Sequence, residues 1–323
     1  MTGLRYWVSI ICLLMLPPST AFSQAANYPD KPVTIISDSA AGSSPDVVAR
    51  FVADGLGKVW GQQVVVLNRP GANGSIATRV ASEAAADGYT LFHPTLSTFA
   101  ALPTIAPNLP VKLSRDFLPV GFTASQPMFV AVSPSLGIAT LPQLIERAKQ
   151  EPDKITIALT GIGRFTHLTG ELLQERADIK LVSVPYTHGP ASAIGDVADG
   201  RVSMIIEGYS GIVGAVKAGQ VKLIAVGSTE RLPEFPDVPT ISETLPGFNG
   251  SGWQVLVAPV GTPAPIVAKV SADLIKVVSD PNFKEKLAAA GNYPSPMNPE
   301  QLLDFVNQQQ AIWIPVVDKI SAK

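Results

Sequence analysis

Short runs of β-branched and aromatic residues recur along the chain, each closed by small or polar residues. Nine of them have the length and composition of strands: KPVTIIS, QVVVLN, YTLFHP, MFVAV, KITIALT, KLVSVPY, RVSMIIE, VKLIAVG and GWQVLVAP. Their apolar residues are nearly continuous rather than alternating, the pattern of strands buried on both faces, so largely parallel sheets are expected. Between most of them lie stretches with apolar residues at helical spacing, such as SPDVVARFVADGLGKVW, LPQLIERAKQ, THLTGELLQERA and PASAIGDVADG. Alternating strands and helices specify an α/β chain.

Two segments break the alternation: TASQPM at 123–128 and the proline-rich RLPEFPDVPTISETLPGFNG at 231–250. After GWQVLVAP only helical patterns remain, at 262–278, 281–290 and 298–319. A tail with apolar faces and no sheet of its own must cover a sheet built earlier. The expected organisation is a discontinuous first lobe, 28–126 completed by 251–323, with a second lobe, 127–250, inserted between. Two chain crossings between lobes make a hinge, and 323 residues suffice for two cores.

Charged residues make up 15% of the chain with a formal net charge of −2, well below the roughly 25% of ordinary globular proteins, and no Lys/Arg-rich run appears. Nucleic-acid binding is therefore not expected. At the N-terminus Arg5 precedes an apolar run from Tyr6 to Leu16, too short to span the ~30 Å of hydrocarbon in a bilayer. Small residues around 21–25 fit a cleavage site, so 1–25 reads as a secretory signal peptide and the mature chain as exported. The single cysteine, Cys12, falls inside this segment. The mature protein would carry no thiol and rest on its core alone.

In open α/β sheets ligands bind at the carboxyl ends of strands, where helix N-termini offer free N–H groups. Five strand exits here are rich in small and polar residues: SDSAAGSSPD (37–46), HPTLSTF (93–99), TGIGRFTH (160–167), YTHGP (186–190) and EGYSG (207–211). At the first, Ser44 is the expected N-cap, with Pro45 at the first helical position and Asp46 in the first turn. TGIGRFTH contains Gly161-x-Gly163, but the third glycine of a dinucleotide fingerprint would fall at Thr166. An anion at this helix start fits better, with Arg164 as a bidentate carboxylate clamp. His93, His167 and His188 lie at strand exits without metal-ligand spacing. GYSG is one residue short of a nucleophile elbow, and no cysteine is available outside the leader. Catalytic residues, metals and cofactors are accordingly not expected.

Taken together, YPDKPVTII, the loop ending in Asp46, VVVLNRPGANGSIA, AAADGYTLF, THLTGELL, VPYTHGPASAIGDVADGRVSMII, VKLIAVGSTERLPEFPDVPTISE and WQVLVAPVGTPAPIV occur in an order and spacing that resemble the Bug family of periplasmic solute-binding proteins, receptors of tripartite tricarboxylate transporters. The likeness covers nearly all of the mature chain. It implies a two-lobed type II periplasmic-binding-protein fold that closes over a small carboxylate and, as a monomer, presents it to membrane permease subunits. The candidate contact residues are Ser39, Ala41, Gly42, Ser43, Ser44 and Asp46 from the first exit and Thr95, Ser97 and Thr98 from the second. The third supplies Thr160, Gly163, Arg164, Phe165, Thr166 and His167, the fourth Tyr186 and His188, and the fifth Glu207 and Tyr209.

The chain departs from its relatives at these places. A loop usually reading Gly-Gly-Gly-Thr-Asp is Gly42-Ser43-Ser44-Pro45-Asp46, so proline removes one amide donor and hydroxyls are added. Arg164-Phe165 stands where a small residue is common, and Tyr-Lys-Gly-Gly becomes Tyr186-Thr187-His188-Gly189. The alternatives are a receptor for an aromatic or neutral solute, with Phe99, Phe165 and Tyr186 as stacking surfaces; a sensor rather than a transport component; and, more remotely, a secreted hydrolase.

Overall fold

The structure, a computed structural model, describes residues 27–106, 111–186 and 188–321. The leader and Cys12 lie outside these residues. Each of the nine apolar runs contains a strand: β1 (Val33–Ser37), β2 (Val64–Asn68), β3 (Thr90–His93), β4 (Phe117–Val132), β5 (Thr156–Leu159), β6 (Val182–Pro185), β7 (Met204–Gly208), β8 (Lys222–Val226) and β9 (Ser251–Pro259). The helices are α1 (Ser44–Trp60), α2 (Ser75–Ser82), α3 (Leu96–Ala100), α4 (Leu102–Ile105), α5 (Leu141–Gln150), α6 (Phe165–Ala177), α7 (Pro190–Ala198), α8 (Tyr209–Lys217), α9 (Ile241–Thr244), α10 (Ala264–Ser279), α11 (Pro281–Ala289) and α12 (Pro299–Ser321). No helix among the described residues is long and apolar enough to cross a membrane.

The strands lie in the order β2-β1-β3-β9-β4-β7-β5-β6, with β8 also paired to β4. Pairing is parallel at the flanks, β1 with β2 and β3, and β5 with β6 and β7. It is antiparallel in the middle, where β4 pairs with β7, β8 and β9, and β9 with β3. The expectation of largely parallel sheets thus describes only the two flanks. The reason is topological: β4 carries the chain from one half of the sheet to the other and β9 carries it back, so these two run in opposite directions.

TASQPM is not a break at all, because β4 runs unbroken for 16 residues through it. Its polar residues are buried but bonded: Thr123 donates to the Gln254 carbonyl at 2.8 Å, and Gln126 pairs with the Gln254 amide. Pro127 is the last residue of β4 paired to β9, opposite Ser251, and from Met128 onward β4 lies between β7 and β8. A proline is tolerated there because it marks the exchange of ladder partners.

Three apolar cores flank the sheet. On one face of the first half, Val48, Val52 and Leu56 of α1 and Val270, Leu274 and Val278 of α10 pack on Ile35 and Leu256. In the second half, Ala193, Val197 and Ile212 pack on Phe129 and Ile205. The third core runs through both halves, from Phe92, Phe99 and Trp253 to Leu168, Met204 and Ile206. Helix α12 belongs to this shared core through Leu302, Val306 and Trp313. Trp313 meets the Phe165 ring edge-on at 4.9 Å, and Lys319 pairs with Glu175, so the last helix touches α6 of the second half as well as the first.

Candidate functional site

The parallel flanks point the carboxyl ends of β1 and β3 in one half, and of β5 and β7 in the other, toward a shared cleft. Its walls are Ser39, Ala40, Ser43 and Pro45; Thr95, Leu96 and Ser97; Gln126 and Met128; Thr160, Arg164, Phe165 and Thr166; Gly189 and Pro190; Glu207; and Gly252 and Trp253. The cavity volume is about 70 Å³, enough for several waters. Two backbone features let the halves come this close. Gly189, at φ +78°, sits against the Ala40 side chain, and Gly208 lies where a Cβ would collide with Ser44 and Gln126.

The first exit is organised by Asp38, a residue the sequence reading did not single out. Its carboxylate is fully buried. Oδ2 accepts from the Thr98 hydroxyl at 2.7 Å, the Thr95 hydroxyl at 3.1 Å and the Thr95 N–H at 3.2 Å. Oδ1 accepts from the Ser39 hydroxyl at 2.8 Å and from Arg164 Nη2 at 3.3 Å. Burial pushes the Asp38 carboxyl up, but the Arg164 charge and the bonds from Thr98, Arg164 and Ser39 outweigh it and hold the group below the ordinary carboxylate range.

Arg164 starts from the opposite half, as the N-cap residue of α6. Its Nη2 also reaches Ser39 Oγ at 2.8 Å, while its Nη1 is buried without a hydrogen-bond partner. The Ser97 hydroxyl, also on the cleft wall, is likewise buried and unpartnered. A buried donor left unmade costs about 1–3 kcal/mol, so these two groups call for an acceptor. Glu207 supplies no such acceptor, for both its oxygens are taken, Oε2 by the Thr160 hydroxyl and Oε1 by the Gly208 N–H, each at 3.0 Å. Burial raises its carboxyl to about 7 against the weaker pull of those bonds and the Arg164 charge.

Of the candidate contact residues, the cleft wall brings together Ser39, Ser43, Thr95, Ser97, Thr160, Arg164, Phe165, Thr166 and Glu207. Ser44 is not the N-cap: Ser43 holds that place with extended backbone, and Ser44 is the first helical residue. The Ser43 hydroxyl is turned back to the Ala40 carbonyl at 2.6 Å, which closes the turn one residue earlier than a Ser44 cap would. The Ser44 hydroxyl instead accepts from Ser210 at 2.7 Å and from Asn292 at 3.1 Å, joining the two halves beside the cleft.

Asp46 builds the loop rather than lining the cleft, accepting the Gly42 N–H at 2.9 Å, Asn68 Nδ2 at 2.8 Å and Arg50 Nε at 3.0 Å. Ala41 and Gly42 lie in the turn it holds, and Thr98 is spent on Asp38. His167 accepts the Gly163 N–H through Nδ1 at 3.1 Å, which ties Gly163 into the start of α6. Tyr209 packs with Phe129 and Phe235 in the second half, and His188 is exposed. Tyr186 lines a neighbouring cavity and donates its hydroxyl to Asp196 at 2.5 Å. Phe99 is buried, stacked on Trp253 at 6.3 Å. His93 is buried against Thr123, and desolvation lowers it to about 4, leaving it neutral. Among the described residues no group of His, Cys, Asp or Glu could hold a metal ion.

Beyond Asp38, sequence reasoning missed Gln126, Met128 and Trp253. Gln126 and Met128 lie in the segment read as a break, and Trp253 stands in a strand run where an aromatic reads as core. The one available signal was a pair of glutamines beside apolar strand runs, Gln126 just before MFVAV and Gln254 within GWQVLVAP.

Residues 48–322 match the family described as tripartite tricarboxylate transporter family receptor. Protein BugT of Bordetella pertussis is 33% identical over 301 residues, covering 93% of this chain and 92% of the relative. Among solved structures, R. palustris Rpa4515 with adipate superposes with a TM-score of 0.86 at 29% identity, covering 90% of this chain and 97% of the other. MatC from Rhodopseudomonas palustris with bound malate gives 0.81 at 29% identity, over 90% of this chain and all of the other. The two-sided cleft and these likenesses lead to one placement: the chain belongs to the tripartite tricarboxylate transporter receptor family, the Bug-type periplasmic solute-binding proteins with a two-lobed fold.

Proposed function

We propose that this protein captures a small organic acid in the cleft between its lobes and presents the closed form to the permease subunits of a tripartite tricarboxylate-type transporter. It does so as a monomer, without catalysis, after removal of residues 1–25 as a signal peptide on the way to the periplasm. The lobes are 28–126 with 251–323, and 127–250, hinged where β4 changes partners at Pro127 and where the chain returns at Ser251. The observation that carries this reading is the pair of buried, unpartnered donors on the cleft wall, Arg164 Nη1 and Ser97 Oγ, contributed by opposite halves. An acid that accepts from both makes contacts available only when the lobes are together, and so draws the open–closed equilibrium toward closure. Relatives that carry adipate and malate in their solved forms support the carboxylate class. A thermal-shift screen of the mature protein against carboxylic acids tests it. An acid at a hundred times its dissociation constant stabilises by ~2.7 kcal/mol, several degrees at this size. A melt that no acid moves, while neutral solutes do, rules the reading out.

A further inference from the structure

A second cavity of about 340 Å³ adjoins the cleft, sharing Ala40, Thr160, Arg164 and Gly189 with it. The remainder of its wall is mostly apolar: Leu159, Ile162, Pro185 and Tyr186 come from the second half and Pro70 from the first, with Asp38 and Asn73 as its polar side chains. Its volume lies in the ~300–1,000 Å³ range of small-molecule sites, whereas the inner cleft has room for little more than a carboxylate. Ile162 is 62% exposed in this loop, an apolar side chain with no core to enter. Tyr186 has its hydroxyl committed to Asp196, so it offers this cavity no free donor of its own.

The charges of the two cavities are equally telling. Among their lining residues Arg164 is the one base, and it already faces Asp38, while Glu207 stands on the inner wall. One carboxylate can take the free Nη1 of Arg164. A second or third carboxylate on the same molecule would find no cation and would lie near two acids.

Resting on the carboxylate reading above, we infer that the ligand is a monocarboxylate with an apolar or aromatic tail, its head on Arg164 and Ser97 and its tail in the outer cavity between Pro70, Ile162 and Tyr186. The Arg164 side chain, common to both cavities, is where head and tail join.

Isothermal titration of the mature protein with 3-phenylpropanoate, octanoate, succinate and citrate tests this. The tailed monocarboxylates are expected to bind at least tenfold more tightly than succinate or citrate. Ile162→Asn, a change at an exposed side chain, is expected to weaken the tailed acids about fivefold more than succinate, in line with the loss of one partly buried apolar side chain. Succinate or citrate binding more tightly than both tailed acids overturns the inference and leaves the carboxylate receptor standing, as does an Ile162→Asn protein with an unchanged affinity ratio. Binding of none of the four acids overturns both.

Discussion

The two strand exits that meet at Arg164 are built in opposite ways. The first, residues 37–46, satisfies itself: Asp38 collects bonds from Ser39, Thr95 and Thr98, and Asp46 collects Gly42, Arg50 and Asn68. The third, residues 160–167, leaves groups unmet: Arg164 keeps a buried free nitrogen, and Ile162 lies largely in solvent. One wall is a preorganised frame and the other is the adjustable surface. The difference explains how small residues at both exits serve different ends. In the first they let carboxylates be wrapped by nearby donors, and in the second they let a long cation reach across the gap.

If the first wall is a frame, breaking it should damage the fold more than any change on the second. Asp38→Ala leaves Arg164 facing a gap and four donors, three hydroxyls and one amide, without their acceptor. We expect a loss of about 3 kcal/mol, the low end for breaking a buried ion pair because Arg164 is 19% exposed. Chemical denaturation reads this directly, and a loss under 1 kcal/mol would remove Asp38 from the frame. The pH dependence carries the same sign. Since the Asp38 carboxyl is held low, its contribution is complete above the ordinary carboxylate range and disappears as pH falls through the depressed value.

Arg164→Ala should cost less stability than Asp38→Ala, because the Ser39, Thr95 and Thr98 donors still hold the buried Asp38 carboxylate after its cation is gone. It should also cost about 1.5–3 kcal/mol of acid binding, the worth of a hydrogen bond to a charged group, or roughly 10- to 150-fold in affinity. Titration calorimetry with a bound acid decides; an unchanged dissociation constant would mean that the ligand does not use this nitrogen.

Glu207 sharpens the contrast, because it is an acid on the second half with no cation of its own. Its carboxyl is raised to about 7, so the folded protein holds a proton that the unfolded chain has released. That contribution to stability is full below the unfolded value near 4.5 and is lost as pH rises toward 7. Glu207→Gln should flatten this slope and raise the melting temperature at pH 8 by a few degrees. Thermal melts at pH 5 and pH 8 measure it, and an unaltered difference between the two would show that Glu207 titrates normally. The smallest effect is expected at the Ser210–Ser44 bond of 2.7 Å between the halves. Ser210→Ala should cost about 1 kcal/mol or less, as for a single neutral hydrogen bond, and change acid affinity less than tenfold.

Much of this molecule was legible as pattern. The strand runs, the helical tail after GWQVLVAP and the small-residue exits all follow from residue periodicity and turn chemistry, which act locally. Serine 44 shows where that reading stops. From sequence it is a good N-cap, yet its neighbour Ser43 takes the cap, and Ser44 spends its hydroxyl on Ser210 and Asn292, 166 and 248 residues away. TASQPM shows the same limit, since polar residues and a proline read as a break until partners from β9 satisfy them. Asp38 went unnoticed because an acid in a serine-rich loop looks like surface, and its burial depends on threonines 57 and 60 residues further on.

By itself, then, the sequence determined the α/β class, the number of strands and the family. Those are set by local propensity and by the order of motifs along one chain. The tertiary structure alone decided which polar groups are spent and which are free. Asp46 and Tyr209 were drawn into the scaffold, while Arg164 and Ser97, two residues of the cleft wall, were each left with a buried donor that has no partner. Hydrogen-bond satisfaction is a property of groups brought together across the fold, and nothing in their separate positions along the chain fixes it.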